Sequence, residues 1–205
     1  MAKAITSDQI KTPTFIASYP DVIEPKPSMN DESKLEYSVT MLFPKATTDL
    51  STITNAIKAL REKAFTQEVV DPITKVKSVQ PVSPQYLQLP IRDGDEPNTK
   101  GVVVEANKGH WVMKAKSNYA PTVVDRDGKT VIRDQAYVKA GNIMRGLVQF
   151  YAYDNKKRGV GVTLLSVFKM GDGEPLPGGQ GGVSANVWAD EAAAVAPAGN
   201  MGLDL

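Results

Sequence analysis

IMRGLVQFYAYDNKKRGVGVTLLSVFKM, residues 143–170, reads as two long strands joined by a short cationic turn. Successive strand side chains point to opposite faces, so residues two apart share a face. Met144, Val148, Phe150 and Ala152, with Gly146 among them, form one set. Ile143, Arg145, Leu147, Gln149, Tyr151 and Tyr153 form the other. The first set suits a barrel interior. The second places a guanidinium and two phenols on an outer face, with about 6–7 Å between alternate positions. Lys156, Lys157 and Arg158 follow at the turn, so rings and charges stand side by side.

The rest of the chain extends this pattern. KLEYSVTMLF (34–43) puts Leu35, Tyr37, Val39, Met41 and Phe43 on one face and Glu36, Ser38 and Thr40 on the other, which predicts a half-buried strand. TTDLSTITNAIKALREKAF spaces Leu50, Ile53, Ile57, Leu60 and Ala64 by threes and fours, which predicts an amphipathic helix with Thr48 or Asp49 as N-cap. Residues 66–100 hold five prolines and the polar run RDGDEPNTKG, and predict an irregular insertion with at most short edge strands. Further strands are expected at 101–106, 110–116, 121–124, 136–141, 143–154 and 159–170, with a hairpin turn at DRDGK (125–129). In HWVMKAK, His110, Lys114 and Lys116 point one way and Trp111, Met113 and Ala115 the other. One helix and about seven closely spaced strands predict a mainly β fold, an OB-type β-barrel with the helix covering one end. The barrel domain is expected over 1–177 and a flexible Gly/Ala-rich acidic tail over 178–205.

Charge is distributed unevenly along the chain. Residues 108–170 carry twelve Lys/Arg against four Asp, a balance of +8, whereas 171–205 carry five Asp/Glu and no Lys or Arg. Such blocks point toward a polyanionic ligand and an acidic tail. With no cysteine and one histidine, thiolate metal sites, disulfides and Ser-His-Asp chemistry have no material. Phosphate-loop, zinc-protease and nucleophile-elbow motifs are absent, and Asp93, Asp95 and Glu96 read as a turn rather than a magnesium site. No enzymatic activity, metal or cofactor is expected. No apolar run is long enough to span a membrane, the opening MAKAITSDQI shows no export pattern, and the absence of cysteine fits a reducing compartment.

A single nucleic-acid strand offers a charged backbone and flat apolar bases. Binding it without reading its sequence takes cations along a groove and rings on which bases stack. Candidate residues for this are Lys114, Lys116, Arg145, Tyr151, Tyr153, Lys156, Lys157 and Arg158, with Trp111 and Tyr119 as further platforms. Packing is the alternative use for each ring, above all for Trp111, whose set is apolar. In the tail, Asp190, Glu191, Asp204 and Leu205 are candidates for shielding the basic groove or contacting a partner.

TPTFIASYPDVIEPKP (12–27), YSVTMLFPK (37–45), PIRDGDE (90–96), WVMKAKSNYAPTVVDRDGK (111–129) and AGNIMRGLVQFYAYDNKKRGVGVTLLSVFKMGDGEPL (140–176) together resemble the single-stranded DNA-binding proteins of certain tailed phages. The resemblance implies an OB-type fold and non-enzymatic coating of single-stranded DNA during replication or recombination. It also implies the cytoplasm of an infected bacterium, and replication or recombination proteins as tail partners. A structural or assembly protein of the phage, or a replication accessory factor making mainly protein contacts, is the alternative reading.

Overall fold

The computed structural model describes residues 5–28, 31–98, 101–155 and 157–177. Ten strands and one α-helix form among them: β1 (Thr6–Lys11), β2 (Phe15–Ser28), β3 (Asp31–Pro44), α1 (Ser51–Ala64), β4 (Thr66–Val70), β5 (Lys77–Pro81), β6 (Ile91–Asp93), β7 (His110–Ser117), β8 (Thr122–Val124), β9 (Ile143–Asp154) and β10 (Arg158–Gly171). Three single 3-10 turns lie between them.

Strands β9, β2, β3, β7 and β10 close on themselves, because β10 pairs both with β7 and with β9. The result is a five-stranded OB-type barrel, as the strand inventory predicts. All of its seams are antiparallel except β7–β10, which is parallel and has a single paired register, Thr163 with Lys116. Strand β1 occupies the stretch of the β9 edge that β2 leaves open, pairing Ile10 with Val148. β4 and β5 pair only with each other.

The alternation read from 143–154 is what fills the barrel. Met144, Val148 and Phe150 are fully buried among Phe15, Met41, Phe43 and Met113. Phe15 and Phe43 meet edge to face at 5.9 Å, the arrangement favoured by ring quadrupoles. Helix α1 buries Ile53, Ile57 and Leu60, the positions its spacing picks out. Its start differs from expectation. Leu50 is the N-cap and supplies no side-chain bond, while the Asp49 carboxylate one residue earlier accepts from Ser51 N and Ser51 Oγ, both at 2.8 Å.

Two expected strands do not form. The run 101–106 stays outside the sheet, since β7 already has β3 along one edge and β6 and β10 along the other. Val102 and Val103 are left exposed. The run 136–141 is held instead by a 3-10 turn over Gln135–Tyr137, capped by Asp134. The Gln135 amide donates to Pro20 O and Val138 O and so ties this segment to β2. Conversely, β1 and β2 escape the alternation rule. β2 carries Pro20, Pro25 and Pro27, and its register is broken beside Tyr19, whose φ is +47°.

A candidate nucleic-acid interface

The outer face of β9 meets an unusual neighbour. Tyr151 stands opposite Gly161 of β10, and Tyr153 opposite Gly159. A β-carbon on Gly161 would overlap Tyr151 Cζ and lie 2.5 Å from its Oη; one on Gly159 would lie 2.6 Å from Tyr153 Oη. The absent side chains let both phenols lie across β10 instead of standing off the sheet, an aromatic cover over strand glycines. The rings are 6.2 Å apart between centroids and tilted by 50°. Tyr153 donates to Gln88 Oε1 at 3.1 Å, which fixes one ring, while Tyr151 keeps 36% of its surface exposed.

Across the parallel seam, Lys116 is level with Thr163, and Thr163 with Gln149. Two residues along, the same register sets Lys114 beside Gly161 and Tyr151. Lys114, Lys116, Tyr151 and Tyr153 therefore line one open groove of about 630 Å³, walled on its far side by Gln88, Leu89 and Pro90. Four of the ten residues selected from sequence converge there.

Their electrostatics are uneven. Lys114 makes no hydrogen bond or ion pair with a described residue. Burial in the groove wall and, secondly, the charge of Lys116 hold its ammonium below the ordinary lysine range, against the opposing pull of Glu36 and Asp21. Lys116 instead donates to Glu36 Oε1 at 2.7 Å. Burial pushes the Glu36 carboxyl up, but hydrogen bonds from Lys116 and Ser28 and the nearby lysine charges outweigh it, leaving the pKa lowered. The pair is thus intact at neutral pH and is lost only as pH falls through that depressed value. Asp21 moves the other way, raised chiefly by burial.

The other selected residues lie elsewhere. Arg158 pairs with Asp154 at 3.0 Å across the hairpin, and Lys157 is exposed beside it. Lys156 and the tail residues Asp190, Glu191, Asp204 and Leu205 lie outside the described residues. Tyr119, 84% exposed, sits just past the end of β7. Trp111 is on the inner side, level with Phe43, under the Lys45 ammonium at 4.9 Å. It borders an apolar pocket with Leu50, Ile57, Leu89 and Ile91 rather than the phenol groove. Arg145 lies six residues back from Tyr151 along β9, about 20 Å at the usual strand rise. The RDGDEP acids serve structure: Asp93 and Asp95 both receive the Lys45 ammonium, the latter at 2.6 Å. Among the described residues no group of three or more His, Cys, Asp or Glu could hold a metal ion.

The model of a protein family described as the single-stranded DNA-binding protein of Enterobacter phage Enc34 matches residues 8–194. The chain belongs to that family. Protein p50 of Acyrthosiphon pisum secondary endosymbiont phage 1 is 25% identical over 175 residues, covering 83% of this chain and 88% of p50. The single-stranded DNA-binding protein from bacteriophage Enc34, solved in complex with single-stranded DNA, is 24% identical with a TM-score of 0.59, over 82% of this chain and 88% of that one. The gp2.5 protein of bacteriophage T7, a single-stranded DNA-binding protein, shares the fold at 16% identity and a TM-score of 0.56, over 90% of this chain and 94% of gp2.5.

In this member of the Enc34 family, several groove residues escape sequence reading. Gln88 joins the wall because its backbone bonds β10: Gln88 N donates to Arg158 O and Val160 N to Gln88 O, both at 2.9 Å. Nothing in QYLQLP announces that pairing. Tyr86, 70% exposed, projects from the 3-10 turn Pro84–Tyr86 just before the wall. Gly159 and Gly161 carried a usable signal: two glycines facing two tyrosines at period two across a short hairpin.

Proposed function

We propose that this Enc34-family protein coats single-stranded DNA with little sequence preference, as a binding protein without catalytic activity, during phage replication or recombination in the host cytoplasm. The observation that carries the reading is the groove that unites Tyr151 and Tyr153 with Lys114 and Lys116. Rings accept any base face, and cations accept any phosphate. Neither tests sequence, and stacking contributes roughly 1–3 kcal/mol per base. Lys157 and Arg158 at the β9–β10 hairpin, outside the groove lining and with Arg158 shared with Asp154, bring the cations within reach of a strand leaving the groove to about four, one phosphate each.

The test is a titration of labelled mixed-sequence oligonucleotides over a range of salt. For strands short enough to stay in this groove, four neutralised phosphates predict a log–log slope near −3, at roughly −0.7 each. Affinity should differ little between sequences. An affinity indifferent to salt would remove the groove reading and favour a protein whose basic face meets protein partners.

Glu36 competes with phosphate for Lys116. Glu36→Gln should therefore raise single-stranded DNA affinity about two- to five-fold, since a partly exposed pair is worth up to about 1 kcal/mol. The gain should be largest at low salt. Fluorescence anisotropy checks it; a loss of affinity would mean that Glu36 holds Lys116 in its binding position.

A further inference from the structure

The outer face of β9 and β10 does not end at the phenols. β10 carries a bulge at Leu165: Leu164 is level with Val148, and Ser166 with Leu147. An extra residue in one strand reverses the facing of everything beyond it. Gly161 and Thr163 face outward before the bulge, and Ser166 and Phe168 face outward after it, while Leu164 and Val167 stay buried. Without the bulge Phe168 would enter the core. With it, Phe168 lies opposite Arg145 on the outside, and β1 adds Lys11 opposite Leu147.

These residues surround a second cleft of about 360 Å³, lined by Lys11, Arg145, Gly146, Leu147, Ser166 and Phe168. Arg145 Nε donates to Thr12 O at 3.0 Å, which aims the guanidinium, and its terminal nitrogens have no hydrogen-bond partner among the described residues. Neither Arg145 nor Lys11 forms an ion pair with a described residue. The cleft repeats the chemistry of the first groove, cations beside an aromatic ring, and neither of its cations is shared with a carboxylate as Lys116 is with Glu36. Between the two, the outward positions of β9 and β10 are Leu147, Gln149, Thr163 and Ser166, none of them acidic. A polyanion crossing from one cleft to the other meets no like charge on these strands.

We propose that the Lys11–Arg145–Phe168 cleft is a second subsite for the same single strand, occupied only by strands long enough to run about 20 Å along β9 from the phenol groove. This rests on the function proposed above. The barrel then has a two-part footprint. A short oligonucleotide fills the phenol groove alone, and a longer one gains the second cleft without a second protein molecule.

The experiment compares oligothymidines of about four and about twelve nucleotides, spanning the range of site sizes known for single OB barrels. They are titrated against the wild type, Lys11→Ala/Arg145→Ala and Lys11→Glu. The double variant should lose about ten-fold in affinity for the longer strand. Its salt slope should flatten by about 1.4, the share of two phosphates, and short-strand affinity should stay within about two-fold. Lys11→Glu, at an exposed position without a described partner, should show the same length-selective loss with folding unaffected. Equal losses at both lengths, or none at either, would overturn the second subsite while leaving the phenol groove intact. A wild type that binds neither oligonucleotide would overturn the proposed function itself.

Discussion

Replacing Tyr151 and Tyr153 together by alanine lowers single-stranded DNA affinity by about thirty-fold or more and lowers the melting temperature by only a few degrees. Two stacked bases at roughly 1–3 kcal/mol each give a combined loss of about 2–6 kcal/mol, and about 2 kcal/mol is already some thirty-fold in the binding constant. Stability responds weakly because neither ring is part of the barrel interior. What is lost is their cover over Gly159 and Gly161 and the bond from Tyr153 to Gln88, together about 1–2 kcal/mol, or roughly 2–4 °C per kcal/mol for a chain of this size. Phenylalanine at both positions should keep most of the affinity, since stacking needs the ring and not the hydroxyl. Oligonucleotide titration and thermal melting of the three proteins check this. A melting point that collapses with alanine would show the rings to be core.

Gly161→Ala separates ring position from ring presence. The new methyl would occupy the space of the Tyr151 ring tip, the movable end of a side chain, so the fold survives and the ring swings away. Affinity should fall by about ten-fold or more, approaching the effect of Tyr151→Ala alone. Stability should hold or rise slightly, because alanine loses less backbone freedom than glycine on folding, by roughly 0.5–1 kcal/mol. In a Tyr151→Ala background the same substitution should cost nothing further, and this non-additivity marks two residues acting through one contact. Full additivity would detach the glycine from the ring. Gly159 is a different case. Its missing β-carbon makes room for Gln88 O, which would lie 2.5 Å away. Substitution there collides with backbone and should damage the fold itself.

How far the sequence discloses this molecule depends on whether a feature is local. Alternation along 143–154 sorts inside from outside, since period two is set by the pleat alone; along 110–116 it does so for Lys114 and Lys116 but not for Val112, which is buried on the outer side. What one strand presents to the next depends on register, which single-strand patterns do not encode. The Lys116–Glu36 pair is therefore invisible in sequence, as is the Gln88–Leu89–Pro90 wall. Trp111 shows the same boundary. Its parity places it inward, but only the pairing with β3 and the approach of Lys45 show what it touches. The bulge at Leu165 is harder still: one unpaired residue in an apolar run reverses the facing of Phe168 without altering composition. β2 offers no period to read, because Pro20, Pro25 and Pro27 and the register break beside Tyr19 interrupt its alternation.

The parallel closure of the barrel has a mechanical consequence. Thr163 and Lys116 are the one paired position joining β7 to β10, so the cylinder's thinnest weld runs along the floor of the groove. A strand of nucleic acid held in the proposed way, by Lys114 and Lys116 on one bank and Tyr151 and Tyr153 on the other, would bridge that weld from outside. By linkage, a ligand that binds only the closed barrel stabilises it, by an amount that grows with ligand concentration relative to the dissociation constant. Cargo and container brace each other.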